Sequence, residues 1–124
     1  MATPDPSLIV STYNQAGPLA HVLAGVALQT QRPREVLIAD DGSNKETAQV
    51  IKNWSHRLPP LQHVWHEDQG FRKTVILNEA IARAQGNYIL LLDGDCVPHP
   101  RFVEDHAALA EADCWVQGRR SFIN

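Results

Sequence analysis

The sequence predicts an α/β domain: a mainly parallel sheet covered by helices on both faces. Three observations carry this expectation. Short apolar runs alternate with segments of helical period along the chain. The runs are continuous rather than alternating, as strands buried on both faces require. Polar and acidic residues stand directly after three of the runs, at the carboxyl edge where such sheets bind ligands.

Each element has its own signal. Pro4 and Pro6 mark an irregular start, and SLIVST, residues 7–12, reads as a first strand rich in β-branched side chains. After YNQAGP, the positions Leu19, Val22, Leu23 and Val26 follow the i, i+3, i+4, i+7 pattern of a helix with one buried face. Residues 35–40 form a second strand stopped by Asp-Gly. Ser43 stands three residues before Glu46, a capping-box spacing that starts a second helix, with Thr47, Val50, Ile51 and Trp54 inward. Pro59-Pro60 ends that helix, and LQHVWH, residues 61–66, is a third strand.

Val75, Ile76, Leu77, Ala80, Ile81 and Ala84 make the apolar face of a third helix, with Gly86 as its C′ glycine. NYILLL, residues 87–92, reads as a buried fourth strand. Pro100 is placed as the first residue of a fourth helix, with Phe102, Val103, His106 and Leu109 inward. DCWVQG, residues 113–118, is expected to begin a fifth strand, and the three tryptophans read as core.

Composition narrows the function. A chain of 124 residues suits one domain or part of a larger one, and 44% apolar residues suffice for a core. The net charge of −3 argues against nucleic acid as a main partner. Arg32/Arg34, Arg72/Lys73 and Arg119/Arg120 are short clusters, not a basic stripe. Cys96 and Cys114 fit neither a zinc motif nor a disulfide scaffold, which points to a reducing, cytoplasmic setting. No signal-peptide pattern and no membrane-spanning run is present, though a peripheral position at the inner membrane face is compatible with the chain.

The chemistry gathers at strand ends. Asp93-Gly94-Asp95 follows the fourth strand, and carboxylates at i and i+2 can share one site with the backbone close to a ligand. Such like charges need a counter-charge, and hard oxygen donors suit Mg²⁺ or Mn²⁺ bridging to phosphate. Asp-Gly alone is also an ordinary turn dipeptide. Asp40 and Asp41 end the second strand, where a carboxylate can accept from a base N–H or ribose hydroxyls. Ser11, Thr12, Tyr13 and Asn14 follow the first, and Tyr13 offers a ring for stacking. Arg72 and Lys73 stand at a helix start, which already favours anions such as a diphosphate. His99 lies four residues past Asp95 as a possible neighbour of a metal, whereas His63 and His66 read as structural or surface.

In combination, SLIVSTYNQ, LQTQRPREVLIADDGS and DQGFRKTVILNEAIARAQGNYILLLDGDCVPHPRFVEDH resemble family 2 glycosyltransferases of the Rossmann-like GT-A fold. The last piece most resembles the donor-binding modules of bacterial polysaccharide and lipopolysaccharide enzymes, including chondroitin-polymerase-like transferases. The resemblance implies an inverting, metal-dependent transfer of sugar from a nucleotide-diphosphate sugar, expected to be a UDP-sugar, to a glycan or glycolipid hydroxyl. It implies that Ser11, Thr12 and Tyr13 form the base pocket, and that Asp41 binds the base with Asp40 supporting. It also implies that Asp93, with Gly94, faces the ribose and donor sugar, that Lys73 meets the diphosphate, and that Asp95 holds Mn²⁺ or Mg²⁺. Ile76-Leu77-Asn78 stands where many relatives carry Ala-Arg-Asn, so a role carried by that arginine is missing here. Lys73 matches relatives with a lysine five residues before that asparagine.

The general base of the family lies later than this motif and is expected beyond Asn124, so residues 1–124 are expected to be the donor part of a transferase domain. Glu104, Asp105, Glu111 and Asp113 are expected on the surface of the fourth helix and the turn after it. Two alternatives stand beside this reading: a non-catalytic nucleotide-sugar-binding fragment, and an aspartyl-nucleophile phosphatase with Asp93 attacking a phosphoryl group and Asp95 as acid and base.

Overall fold

A computed structural model describes residues 3–122. The elements are β1 (Pro6–Thr12), α1 (Ala16–Ala27), β2 (Glu35–Asp40), α2 (Lys45–Trp54), β3 (Leu61–Trp65), α3 (Lys73–Arg83), β4 (Tyr88–Asp93) and α4 (Phe102–Leu109). A 3₁₀ turn, Ser55–Arg57, extends α2 toward Pro59-Pro60. All four strands run parallel in the order β3-β2-β1-β4. The connections leave β1 toward β2 on one side and return to β4 on the other. That reversal opens a crevice at the carboxyl edge beside β1.

Side chains alternate across the strands and build two cores. Leu8 and Val10 of β1 and Val36 and Ile38 of β2 meet Leu19, Val22, Leu23 and Val26 of α1, Ile51 of α2 and Val103 of α4. Ile9, Leu37, Ala39 and Val64 on the opposite face meet Ile76 and Ala80 of α3. The sheet is therefore covered on both faces, as expected. Among the described residues no helix is long and apolar enough to cross a membrane.

Several expectations are corrected. The cap of α2 is Asn44, whose side chain accepts from Glu46 N–H at 3.3 Å, because the Ser43 hydroxyl is already taken by Asn14 N–H at 2.8 Å. Gly86 is not a helix C′ residue: α3 ends at Arg83 with Ala84 extended, and Gly86 is pressed against the Asp5 carbonyl and Ser7. Pro100 lies in the turn before α4, which starts at Phe102. Leu109, Val75 and Ile81 are exposed rather than inward.

β4 is an edge strand among the described residues, paired only with β1, so Leu91 is 56% exposed rather than buried. Residues 113–118 form no strand, and Trp115 stands in solvent. Trp54 packs at the margin of one core, whereas Trp65 is half-exposed and donates its Nε1–H to the Ser43 carbonyl at 3.1 Å.

One buried amide ties the far side of the crevice together. Gln29 Nε2 donates to the Gly25 carbonyl at 3.1 Å and the His99 carbonyl at 2.8 Å, while its Oε1 accepts from Val103 N–H at 3.0 Å. It thus joins the end of α1 to the loop after Asp95 and to the start of α4. Gln29→Leu should lower stability by about 2–4 kcal/mol, since buried backbone groups lose their partners. Denaturant unfolding would show this as a lower midpoint with an unchanged slope.

Candidate functional site

The carboxyl ends of β2, β1 and β4 enclose an open cleft of about 290 Å³. Ser11, Thr12, Tyr13, Asp41, Lys73, Asp93, Gly94 and Asp95 line it, joined by Gln15, Ala39 and Phe71. Eight of the nine residues to which the resemblance gives a role therefore converge on one cavity, while Asn14, Arg72 and His99 do not line it. Asp40 does not line it. Its carboxylate is fully buried, accepting from Ser43 N–H at 2.9 Å and pairing with His63 Nε2 at 2.7 Å, so it braces the turn that presents Asp41.

The β1 end is built for close approach. Gly94 N–H donates to the Ser11 carbonyl at 2.6 Å, and a Cβ on Gly94 would collide with that oxygen. Only glycine lets β4 and β1 end this close, which is what brings Asp93 beside Ser11. Asn14, in the left-handed region at φ 46°, accepts from Asn44 N–H at 2.9 Å and so anchors the turn that carries Tyr13. The Thr12 hydroxyl oxygen is buried without a hydrogen-bond partner at the cleft wall, a polar group ready for a ligand.

Asp41 is held from two sides. Its Oδ1 lies 2.6 Å from His66 Nε2, and its Oδ2 accepts from Arg72 N–H at 2.9 Å. The Tyr13 hydroxyl donates to Asp68 Oδ2 at 2.7 Å, and that bond raises the tyrosine pKa while lowering the pKa of Asp68. The segment 66–72 thus grips both Asp41 and Tyr13. Phe71, 89% exposed, stands at the rim of the cleft.

Lys73, the first residue of α3, sets its Nζ 3.0 Å from Asp93 Oδ1. This hydrogen bond is the main cause of a lowered Asp93 pKa, opposed by partial burial and assisted by the Lys73 charge, the Ser11 hydroxyl at 3.3 Å and Arg120. The counter-charge of Asp93 is therefore a lysine. Asp95 makes no ion pair among the described residues, and its nearest polar partner is Cys96 Sγ at 3.5 Å.

Ligand atoms of Asp93, Asp95 and Cys96 lie within 4.8 Å of one another. The donor chemistry fits a hard divalent cation: two carboxylates offer oxygens, while burial and the Asp95 carboxylate push the thiol pKa up and keep the soft ligand protonated. His99 stands outside this group, its Nδ1 accepting from Arg101 N–H at 3.1 Å.

Sequence reasoning missed His66, Asp68 and Phe71. The signal was available: WHEDQG follows β3 as directly as ADDGS follows β2, and the edge rule applies to every parallel strand. His63 and His66 were expected as structural or surface residues, and both prove to hold carboxylates at this edge.

Fold and cleft together define an α/β domain with a candidate site at a strand-order reversal, carrying carboxylates and a lysine. The chain belongs to glycosyl transferase family 2, whose family model matches residues 7–124. It is 32% identical over 121 residues to the hyaluronan synthase of Pasteurella multocida, a match covering 95% of this chain and 12% of the synthase. Among solved structures it resembles S. aureus TarS 1-349 in complex with UDP, with a TM-score of 0.76, 28% identity, and coverage of 84% of this chain and 31% of that one. It also resembles the mannosyltransferase PcManGT of Pyrobaculum calidifontis in complex with GDP-Man and Mn²⁺, with a TM-score of 0.74, 26% identity, and coverage of 90% of this chain and 34% of that one. The chain thus spans a minor part of each of these relatives.

Proposed function

We propose that this chain binds a nucleotide-diphosphate sugar, with UDP-sugars as the first class to test, and forms the donor part of a metal-dependent, inverting glycosyltransferase acting on a glycan or glycolipid. The observation that carries the reading is the convergence of Tyr13, Asp41, Lys73, Asp93 and Asp95 on one cleft. The UDP complex of TarS and the GDP-Man and Mn²⁺ complex of PcManGT support it.

Each residue has a task in this reading. Tyr13 and the buried Asp41 receive the base, by ring contact and by accepting an N–H. Ser11 and Thr12 complete the base pocket beside Tyr13, and Asp93, with Gly94, faces the ribose and donor sugar. Asp95, with Asp93, would hold Mn²⁺ or Mg²⁺, and such an ion supplies charge neutralisation to the departing diphosphate. Lys73 adds a positive charge at the start of α3, where backbone N–H groups already favour anions.

None of the cleft's carboxylates is assigned as the base for the acceptor hydroxyl, because Asp41, Asp93 and Asp95 are each committed to the donor. The phosphoaspartate alternative draws no support from the comparisons, since the glycosyl transferase family model matches residues 7–124.

Calorimetric titration with UDP, with and without Mn²⁺, tests the reading. Binding that strengthens with Mn²⁺ is expected, and no binding of UDP in either condition would overturn it for UDP donors. Sugar transfer or donor hydrolysis by the chain would separate a competent transferase from a domain that only binds donor.

Lys73→Met should weaken UDP about 5- to 30-fold, the effect of one charge-assisted bond to phosphate. The same substitution should raise the Asp93 pKa toward ordinary carboxylate values, readable by carbon-detected NMR titration. The sign follows from the depressed folded pKa: the pair contributes to stability above the unfolded carboxylate pKa and loses that contribution as pH falls through the folded one. Both side chains are half-exposed, so the contribution is small.

A further inference from the structure

His66 contacts a carboxylate that lines the cleft. Its Nε2 lies 2.6 Å from Asp41 Oδ1, with His66 largely buried and Asp41 almost wholly so. An ionised carboxylate only accepts, so against one Nε2 is the donor of this contact. Arg72 N–H occupies the other oxygen at 2.9 Å. A carboxylate offers about four lone-pair positions, so two donors fix its plane and leave acceptor capacity on the cleft side.

We propose that His66 is a positioning residue that locks Asp41 as a hydrogen-bond acceptor facing the cleft, so that the site selects a pyrimidine base carrying a ring N–H over one presenting a ring lone pair. The inference rests on Asp41 as the base contact. Uracil presents N3–H to such an acceptor. Cytosine presents a lone pair at the same position, which faces carboxylate oxygens and finds no donor. Without His66, Asp41 loses one of its two anchors, and its carboxylate can rotate out of the plane that faces the base. Discrimination then relaxes, even though His66 itself touches no ligand. The segment is stiff enough for this role: Asp68 is bonded to Tyr13 and to Gly70 N–H, and its backbone packs directly on Gly42.

The test compares UDP and CDP binding by calorimetry, with Mn²⁺ present, for the full chain and for His66→Gln, His66→Asn, His66→Leu and Asp41→Asn. Gln places an N–H near the position of Nε2, whereas the Asn amide falls short. The expected result is a UDP preference in the unaltered chain that falls about tenfold or more in His66→Leu and His66→Asn, with His66→Gln within about threefold of the original. CDP affinity should move much less.

A UDP-to-CDP ratio unchanged in His66→Leu and His66→Asn but relaxed in Asp41→Asn would overturn the role of His66 and leave Asp41 as the base contact. A ratio unchanged in all four variants would overturn the base contact itself. Equal loss of both nucleotides in His66→Asn would reduce His66 to a structural residue and also overturn the proposal. If His66→Leu fails to fold, the contrast between Gln and Asn carries the same decision.

Discussion

Asp95→Ala should keep its fold and lose metal-assisted nucleotide binding. Asp95 is exposed and makes no ion pair among the described residues, so its removal should shift the thermal midpoint by no more than about 2 °C. Its expected role lies wholly with the cation. Losing that anchor should reduce UDP affinity in Mn²⁺ about 100-fold or more, to the value measured in EDTA, since a metal clamp on a diphosphate contributes several kcal/mol. Asp93→Ala is a less clean test, because Lys73 and Ser11 lose a partner at the same time. A variant without Asp95 that binds UDP with unchanged affinity and unchanged Mn²⁺ dependence would remove the metal from this reading.

Gly42→Ala should be among the most damaging single methyls in the site region. Gly42 sits at φ 96°, where an L side chain is strained, and its Cβ would meet the Asp68 backbone at 2.6 Å. Neither the conformation nor the clash can be relieved by a side-chain rotation. A loss of about 3 kcal/mol or more is expected, a fall in thermal midpoint on the order of 10 °C. UDP binding should fail even at temperatures where the variant is folded, because Gly42 follows Asp41 and the displaced segment carries His66 and Asp68. A variant that melts like the unaltered chain would show that the two loops are not wedged together.

The sheet was legible because β1, β2 and β4 each contain an unbroken apolar run and the helices keep a regular period. β2 falls on the residues expected, and β1 differs only by adding Pro6. The inward positions of α1 are the four read from periodicity. The errors come from tertiary competition that no local rule contains. Ser43 has good capping chemistry, but its hydroxyl serves Asn14 N–H, so the cap passes to Asn44. Gly86 resembles a helix stop, yet it is small because β1 lies against it. Leu91 reads as buried because the sequence shows an apolar run and not how many neighbours the strand will have.

The candidate site was legible in its acids and in Lys73, since strand ends and helix starts have known chemistry. What holds those acids was not: His66, Asp68 and the Gly42 contact are long-range pairings, and each joins loops that are distant in sequence.

The exposed flank of β4 bears on how the isolated chain behaves at high concentration. Tyr-Ile-Leu-Leu-Leu presents a row of backbone donors and acceptors on the side away from β1, with no charged residue, proline or bulge to blunt it until Asp93. Such an edge is a template for another strand. In dilute solution, water satisfies its amides. In concentrated stocks, two copies can zip edge to edge and bury Leu91 against its counterpart, so that turbidity and loss of monomer would set the working range for every titration above.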